Sequence, residues 1–309
     1  MSTHYDIVIL GAGPAGLTAA IYAARARRSV LVLDTGTVGG QPVLTHAVAN
    51  YPGVAETSGR NLVQVMAQQA RDFGAEVVAF ARITEVDLAG EVKSITLRNG
   101  TRYTATAAVV ATGGVPRKLG VDGEDRFVGQ GISYCATCDG DFFTDRPIAV
   151  VGGGNSALEE AVSLSRYASR ITVIHEFDHF QAEPWIVAEA RANPKIEFLM
   201  NQRVLGFTGE SALAAVRSAD KDTGDLHETV VDGCFVFVGY VPNSAVLSDQ
   251  VKTSERGEIL ADEALRTSQP GVFAAGDVRN KRVRQITTAV ADGTVAALSA
   301  LDHVNEAVT

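Results

Sequence analysis

Residues 6–10 form a short apolar run, Asp-Ile-Val-Ile-Leu, that stops at a glycine, so the pattern predicts a buried β-strand. A glycine-rich turn over 11–16, an alanine-rich helix over 17–26 and an apolar strand over 30–33 follow, and together they make a βαβ unit. Between 94 and 106 the alternation predicts hairpin strands around Asn99-Gly100, with 107–111 returning as a separate buried strand. The cycle then repeats. A strand over 148–151, a glycine turn over 152–154, a helix over 156–166 and a strand over 171–174 repeat the first unit in the same order. A buried strand over 234–238, a turn over 239–243, a strand over 271–277 ending in an acid, and a closing helix over 287–304 complete the chain. Nothing resembling a linker separates the two cycles. The predicted fold is therefore α/β with two Rossmann-like dinucleotide-binding domains, the second inserted into the first, at boundaries 1–114, 115–243 and 244–309.

Composition narrows the function. With 309 residues, 46% of them hydrophobic, the chain is long enough for two ordinary domains with their own cores. A formal charge of -9 argues against the broad positive field that nucleic acid or an anionic membrane requires. The first six residues run directly into the apolar strand without a basic segment, a long hydrophobic run or a small-residue cleavage site, so a cytosolic location is expected. Three cysteines are too few for a secreted disulfide framework, and the close pair reads as redox or metal chemistry. Zinc is disfavoured, because one C-x-x-C supplies two ligands and neither a second pair nor a histidine cluster completes a tetrahedron.

Gly11-Ala12-Gly13-Pro14-Ala15-Gly16 lies between a strand and a helix, the setting in which such glycines bring backbone close to a pyrophosphate at a helix amino terminus. Asp34, at the end of the next strand, is placed to accept hydrogen bonds from ribose hydroxyls. Further features favour FAD over NAD at this first site. Ala111-Thr112-Gly113 ends a strand, and Gly276-Asp277 ends another with a carboxylate suited to a sugar-alcohol chain. Arg284-Gln285-Ile286 precede the last helix, whose amino-terminal dipole favours negative charge on a reduced flavin.

Cys135-Ala136-Thr137-Cys138-Asp139 stands just before the second glycine turn. A C-x-x-C closes a small disulfide ring, and one sulfur of such a pair commonly has a lowered pKa, so the motif suits thiol–disulfide exchange. Asp139, next to the second sulfur, is a candidate general acid for a leaving thiolate. Cys234 sits between apolar residues of a strand and reads as core.

These motifs, together with Gly39-Gly40-Gln41, Asn50-Tyr51-Pro52-Gly53, Gly152-Gly153-Gly154-Asn155-Ser156-Ala157 and Gly239-Tyr240-Val241-Pro242-Asn243, resemble the low-molecular-weight thioredoxin reductases nearly end to end. The resemblance implies a homodimer, FAD in a discontinuous domain made by both chain ends, and an inserted pyridine-nucleotide domain carrying the disulfide. It implies FAD contacts from Gly40, Gln41 and Asn50 in addition to the residues above. Electrons would pass from a donor to FAD, to Cys135–Cys138, and to the disulfide of thioredoxin, with Cys138 facing the flavin and Cys135 attacking the partner.

One segment departs from the family pattern. NADPH-using members carry His-Arg-Arg-x-x-x-Arg after the second strand of the inserted domain, whereas this chain has His175-Glu176-Phe177-Asp178-His179-Phe180-Gln181. A 2′-phosphate with about -1.5 to -2 charges would meet a carboxylate in place of three guanidinium groups, weakening NADPH by about a hundredfold to a thousandfold. The resemblance then favours the ferredoxin-dependent flavin thioredoxin reductases, which lack these arginines, with ferredoxin as donor. Arg25, Arg27 and Arg28, or else Lys281, Arg282 and Arg284, would supply a local basic face for it. The alternatives are NADH, with Glu176 on the 2′-hydroxyl, or a dithiol oxidase that passes electrons to oxygen. Phe177 and Phe180 either fill the vacated pocket or are ordinary core aromatics.

Overall fold

The structure is a computed structural model that describes residues 3–45, 48–55, 57–247 and 249–308. The chain forms two compact units, one from the residues up to Val115 together with those from Val241 onward, the other from Pro116–Tyr240.

In the first unit the central strands are Thr3–Leu10, Val30–Leu33 and Arg102–Val110, all parallel, with Ile7 level with both Val30 and Ala107. Alternate residues of these strands enter opposite faces. Ile7, Ile9, Val30, Val32, Ala107 and Val109 pack into one core, and Val8, Leu10, Leu31, Leu33, Ala108 and Val110 into the other. Both faces are covered, which is why the strands read as continuous apolar runs. The helices Pro14–Arg25 and Ile286–Val308 pack on the first face, where small residues let them approach closely. A Cβ added at Gly293 would stand 2.2 Å from the carbonyl oxygen of Ala15.

Several boundaries differ from the sequence pattern. Residues 102–110 are one strand, which pairs with Lys93–Leu97 in its first half and with Val272–Ala274 in its second, so 107–111 is a continuation and not a separate strand. The first helix starts at Pro14, because proline's fixed φ and missing N–H suit the first helical position. Tyr240–Pro242, expected as part of a turn, is a short strand paired with Gly114–Pro116. The closing helix takes in Ile286 and reaches Val308.

The second unit has a parallel sheet in the order Ile196–Leu199, Arg170–Ile174, Pro147–Val151, Gly233–Val236, Ile132–Ser133. A three-stranded antiparallel sheet follows, Gln202–Gly209, Leu213–Asp220 and Leu226–Val230. The helix Asn155–Leu164 follows the strand Pro147–Val151, the arrangement that opens a nucleotide-type turn at the strand's carboxyl end.

Candidate active site

The first glycine turn is built by backbone packing that leaves no room for a side chain at Gly11 or Gly16. Gly11 has φ +106°, and a Cβ there would stand 2.3 Å from the carbonyl oxygen of Ala111. Gly40 has φ +63° and lies against Gly13, where an added Cβ would be 3.0 Å from the Gly13 Cα. Gly39 N–H donates to the carbonyl of Ala12 at 2.8 Å. Asp34 braces the same turn: its Oδ2 accepts from Ala12 N–H at 2.7 Å and its Oδ1 from Gly36 N–H at 2.8 Å. The carboxylate expected to meet a ribose thus also holds the turn in shape. Gln41 and Asn50 are exposed beyond this loop.

Thr112 and Asn243 close a reciprocal pair, Thr112 Oγ1 donating to the Asn243 carbonyl at 2.7 Å and Asn243 Nδ2 to the Thr112 carbonyl at 3.0 Å. Ala15 lies against Gly276, since a Cβ on the glycine would stand 2.9 Å from that of Ala15. Beside it, Asp277 Oδ1 is buried without a hydrogen-bond partner among the described residues, with Lys281 Nζ at 3.8 Å. Burial pushes the Asp277 carboxyl above its ordinary range, against the pull of Lys281 and Arg284.

Two acids that the sequence pattern did not single out organise the surrounding cations. Asp292 accepts from Gly276 N–H at 3.0 Å, from Arg279 Nε at 2.9 Å and Nη2 at 2.8 Å, and from Lys281 Nζ at 2.8 Å. Burial alone would raise its carboxyl, but the hydrogen bonds from Arg279 and Lys281 outweigh that and hold it below the usual range. Glu258 accepts from Arg284 and, at 3.0 Å, from Asn280 Nδ2. The only sequence signal for Asp292 is an acid inside the small and apolar first half of the helix.

These features fit a dinucleotide with a polyol arm. Backbone free of side chains at Gly13 and Gly40 suits a pyrophosphate, and the orphaned Oδ1 of Asp277 calls for a hydroxyl donor. FAD would be held by Gly11–Gly16, Gly40, Thr112 and Gly113, Gly276 and Asp277, with Arg284, Gln285 and Ile286 at the start of the last helix.

In the second unit Cys135 and Cys138 are joined, S–S 2.05 Å and Cα–Cα 5.3 Å. Cys135 is the N-cap of the short helix Ala136–Asp139, and its carbonyl accepts from Cys138 N–H at 3.3 Å and Asp139 N–H at 3.2 Å. Ser133, at the end of its strand, donates through Oγ to Asp139 Oδ2 at 2.6 Å and accepts from Cys135 N–H at 3.0 Å. On the other flank Tyr134 donates to Glu124 at 2.8 Å, and burial followed by that acid drives its hydroxyl pKa far upward. Glu124 in turn accepts from Leu119 and Gly120 N–H, so the cysteine loop is fixed from both sides. Cys234 is fully buried, unpaired by disulfide, and its thiol is pushed up by burial.

The second glycine turn carries the altered segment. A Cβ at Gly153 would stand 2.4 Å from the His175 ring, so that ring lies over the turn's backbone, while Gly154 is open. Burial lowers the His175 pKa, and the ring's Nε2 pairs with the His179 carbonyl at 3.0 Å. Gln181 N–H donates to the Gly153 carbonyl at 2.9 Å. Phe180 stacks on His175, meets Phe198 edge-on and packs, partly buried, against the unit's core. Glu176 remains 53% exposed, with Lys221 Nζ 3.8 Å from its Oε1.

Residues 5–293 match the model of the pyridine nucleotide-disulphide oxidoreductase family. The thioredoxin reductase of Peptoclostridium acidaminophilum is 42% identical over 311 residues, covering 98% of this chain and 98% of that relative. The chain belongs to the thioredoxin reductase family. The thioredoxin reductase of Bacillus subtilis is 41% identical over 303 residues, covering 98% of this chain and 95% of the relative. The crystal structure of thioredoxin reductase from Streptococcus pyogenes superposes with a TM-score of 0.92 at 37% identity, covering 99% of this chain and all of that one. As a thioredoxin reductase the protein is a flavin-dependent disulfide oxidoreductase with FAD as its cofactor.

Within that family, half of the basic side chains expected to receive ferredoxin are paired within the chain. Lys281 is 6% exposed between Asp277 and Asp292, Arg284 is paired with Glu258, and Arg28 with Asp6. Arg25, Arg27 and Arg282 stay exposed. Lys281 and Arg284 point inward because the buried acids Asp292 and Glu258 claim them, which a run of charges in the sequence does not reveal. No helix among the described residues is long and apolar enough to cross a membrane.

Proposed function

We propose that the enzyme reduces the disulfide of a thioredoxin through Cys135 and Cys138, using electrons from NADH, and that it works as a homodimer. The unit built from both chain ends is read as the FAD-binding domain and the Pro116–Tyr240 unit as the nucleotide-type domain that carries the disulfide. FAD, when bound, supplies two-electron redox chemistry between the donor and the cysteines.

The observation that carries the reading is the arrangement around Asp139. In the reduced enzyme the Cys135 thiolate, at the amino end of a short helix, attacks one sulfur of the partner disulfide. A mixed disulfide forms and the partner's other sulfur leaves as a thiolate. Asp139, held by the Ser133 hydroxyl, delivers the proton that this leaving sulfur needs. Cys138 then passes its thiol proton to the ionised Asp139 and its sulfur attacks Cys135; the Cys135–Cys138 disulfide is restored, and the second partner sulfur leaves and takes up that proton from Asp139. Two electrons and two protons reach the partner, and the enzyme's dithiol is oxidised.

NADH is favoured by Glu176, an exposed acid just past the strand Arg170–Ile174, in the same segment that packs over an intact glycine turn. Ferredoxin is the second reading, supported by the absent arginines and by exposed Arg25, Arg27 and Arg282. Anaerobic reduction of the bound flavin by NADH, NADPH and reduced ferredoxin, side by side and followed by thioredoxin turnover, decides the donor. Rapid reduction by NADH alone is expected. Rapid reduction by ferredoxin alone overturns the NADH assignment, and flavin reduction without thioredoxin turnover overturns the substrate assignment.

A further inference from the structure

Lys221 stands 45 residues after Glu176 in the chain, yet its ammonium lies 3.8 Å from Glu176 Oε1 and 4.9 Å above the centroid of the Phe177 ring. Its side chain is 27% exposed, against 53% for Glu176, so the cation is the more fixed member of the pair. The backbone explains why. Lys221 N–H donates to the Asn201 carbonyl at 3.0 Å, and Asn201 N–H donates to the Phe177 carbonyl at 3.0 Å. Asn201 adopts φ +58°, a left-handed turn residue that brings these two segments together. The turn after Lys221 is held by Asp220, whose Oδ1 accepts from Asp222 N–H at 2.9 Å and Thr223 N–H at 3.0 Å.

Three segments distant in sequence thus converge on the position where NADPH-using relatives would carry arginine. We propose that Lys221 is the residue that sets the donor selectivity of this enzyme: paired with Glu176 it orients the acid toward a 2′-hydroxyl, and without that acid it receives a 2′-phosphate. This rests on the reading that a nicotinamide nucleotide is the donor.

The charge arithmetic supports both halves. An acid alone would repel a dianionic phosphate and also the nearby pyrophosphate of any dinucleotide. Paired with Lys221 it contributes little net field, so the pyrophosphate is tolerated, while its free carboxylate oxygen still accepts from a hydroxyl. A 2′-phosphate gains nothing from that pair, because the lysine's charge is already met by the carboxylate. Removal of the acid leaves an ammonium whose approach is fixed by the backbone of Asn201 and by the face of Phe177.

The test uses the full-length FAD-loaded enzyme with two probes that cannot donate electrons, ADP-ribose and 2′-phospho-ADP-ribose, titrated by calorimetry. KM and kcat for flavin reduction by NADH and NADPH are measured alongside. The wild type is expected to bind ADP-ribose at least about tenfold more tightly than the phosphorylated probe. Glu176→Gln should raise affinity for the phosphorylated probe by about tenfold, and Glu176→Gln with Lys221→Met should lose that gain, since a well-formed charged pairing is worth about a factor of ten. Lys221→Arg keeps a cation on the same hairpin and should keep the wild-type ranking, whereas Lys221→Met alone should raise KM for NADH with kcat little changed. If the double variant binds the phosphorylated probe as well as Glu176→Gln does, while the wild type still prefers ADP-ribose, Lys221 is not the selecting cation and the donor reading survives. If the wild type binds neither probe, both the inference and the nucleotide reading fall.

Discussion

Ser133 Oγ donates to Asp139 Oδ2 at 2.6 Å and accepts the N–H of Cys135 at 3.0 Å, so one hydroxyl ties the candidate acid to the backbone of the candidate nucleophile. The serine is 6% exposed and ends a strand, which fixes it more firmly than a loop residue would be. Hydrogen bonds to charged groups contribute about 1.5–3 kcal/mol.

Ser133→Ala is accordingly expected to lower kcat for thioredoxin reduction by about tenfold or more, with KM for thioredoxin nearly unchanged. Ser133→Thr retains the hydroxyl and should restore most of the rate. Equal loss in both variants would show that the serine is needed for packing and not for holding Asp139.

Cys135→Ser should bind FAD and allow its reduction by the donor, yet fail to turn over thioredoxin, because the attacking thiolate is gone. Steady-state thioredoxin reduction by this variant at the wild-type rate would reverse the roles assigned to the two sulfurs.

Asp277 should matter in opposite directions with and without cofactor. Asp277→Leu removes the acceptor for a flavin hydroxyl and is expected to weaken FAD by about tenfold or more, read by fluorescence titration of the apoprotein. The apoprotein itself should lose no stability, since a buried oxygen without a hydrogen-bond partner disappears. The pH dependence carries the sign. The folded carboxyl sits above its ordinary value of 3.8, so its contribution to apoprotein stability is present at acid pH and lost as pH rises through the raised value. Thermal midpoints of the wild-type apoprotein should therefore fall relative to Asp277→Leu as pH rises from about 4 toward neutrality.

Arginine placed at positions 176, 177 and 181 should raise NADPH affinity, since three phosphate-pairing cations replace an acid and two neutral side chains. Binding of NADP⁺ by calorimetry reads this without turnover. Rapid reduction of the unaltered enzyme by micromolar NADPH would show that the native segment already accepts the phosphate. Unchanged affinity in the triple variant would point to the His175 ring over Gly153 and the Phe180 ring stacked on it.

Much of this enzyme was legible in its sequence because the determining interactions are local. Continuous apolar runs, glycines at positions that demand positive φ or close backbone contact, and a C-x-x-C beside an acid are patterns within a few residues. They specified two dinucleotide-type cycles, the FAD-type turn and the redox pair. The length of the strand Arg102–Val110 is not legible in the sequence, because its two halves have different neighbours, Lys93–Leu97 and Val272–Ala274, and only the sheet order joins them.

The charges were decided by tertiary structure. A run such as Lys281-Arg282-Val283-Arg284 reads as a basic surface, yet Asp292 and Glu258 draw two of its cations inward, since a buried carboxylate is stable only when paired. Lys221 reaches Glu176 because one hairpin turn and Asn201 bring them together, a proximity with no periodic signature. Side-chain pairing across long separations depends on which strands become neighbours. The sequence by itself determined which chemistry this protein carries, and the packing of its sheets determined which charges are left to choose the electron donor.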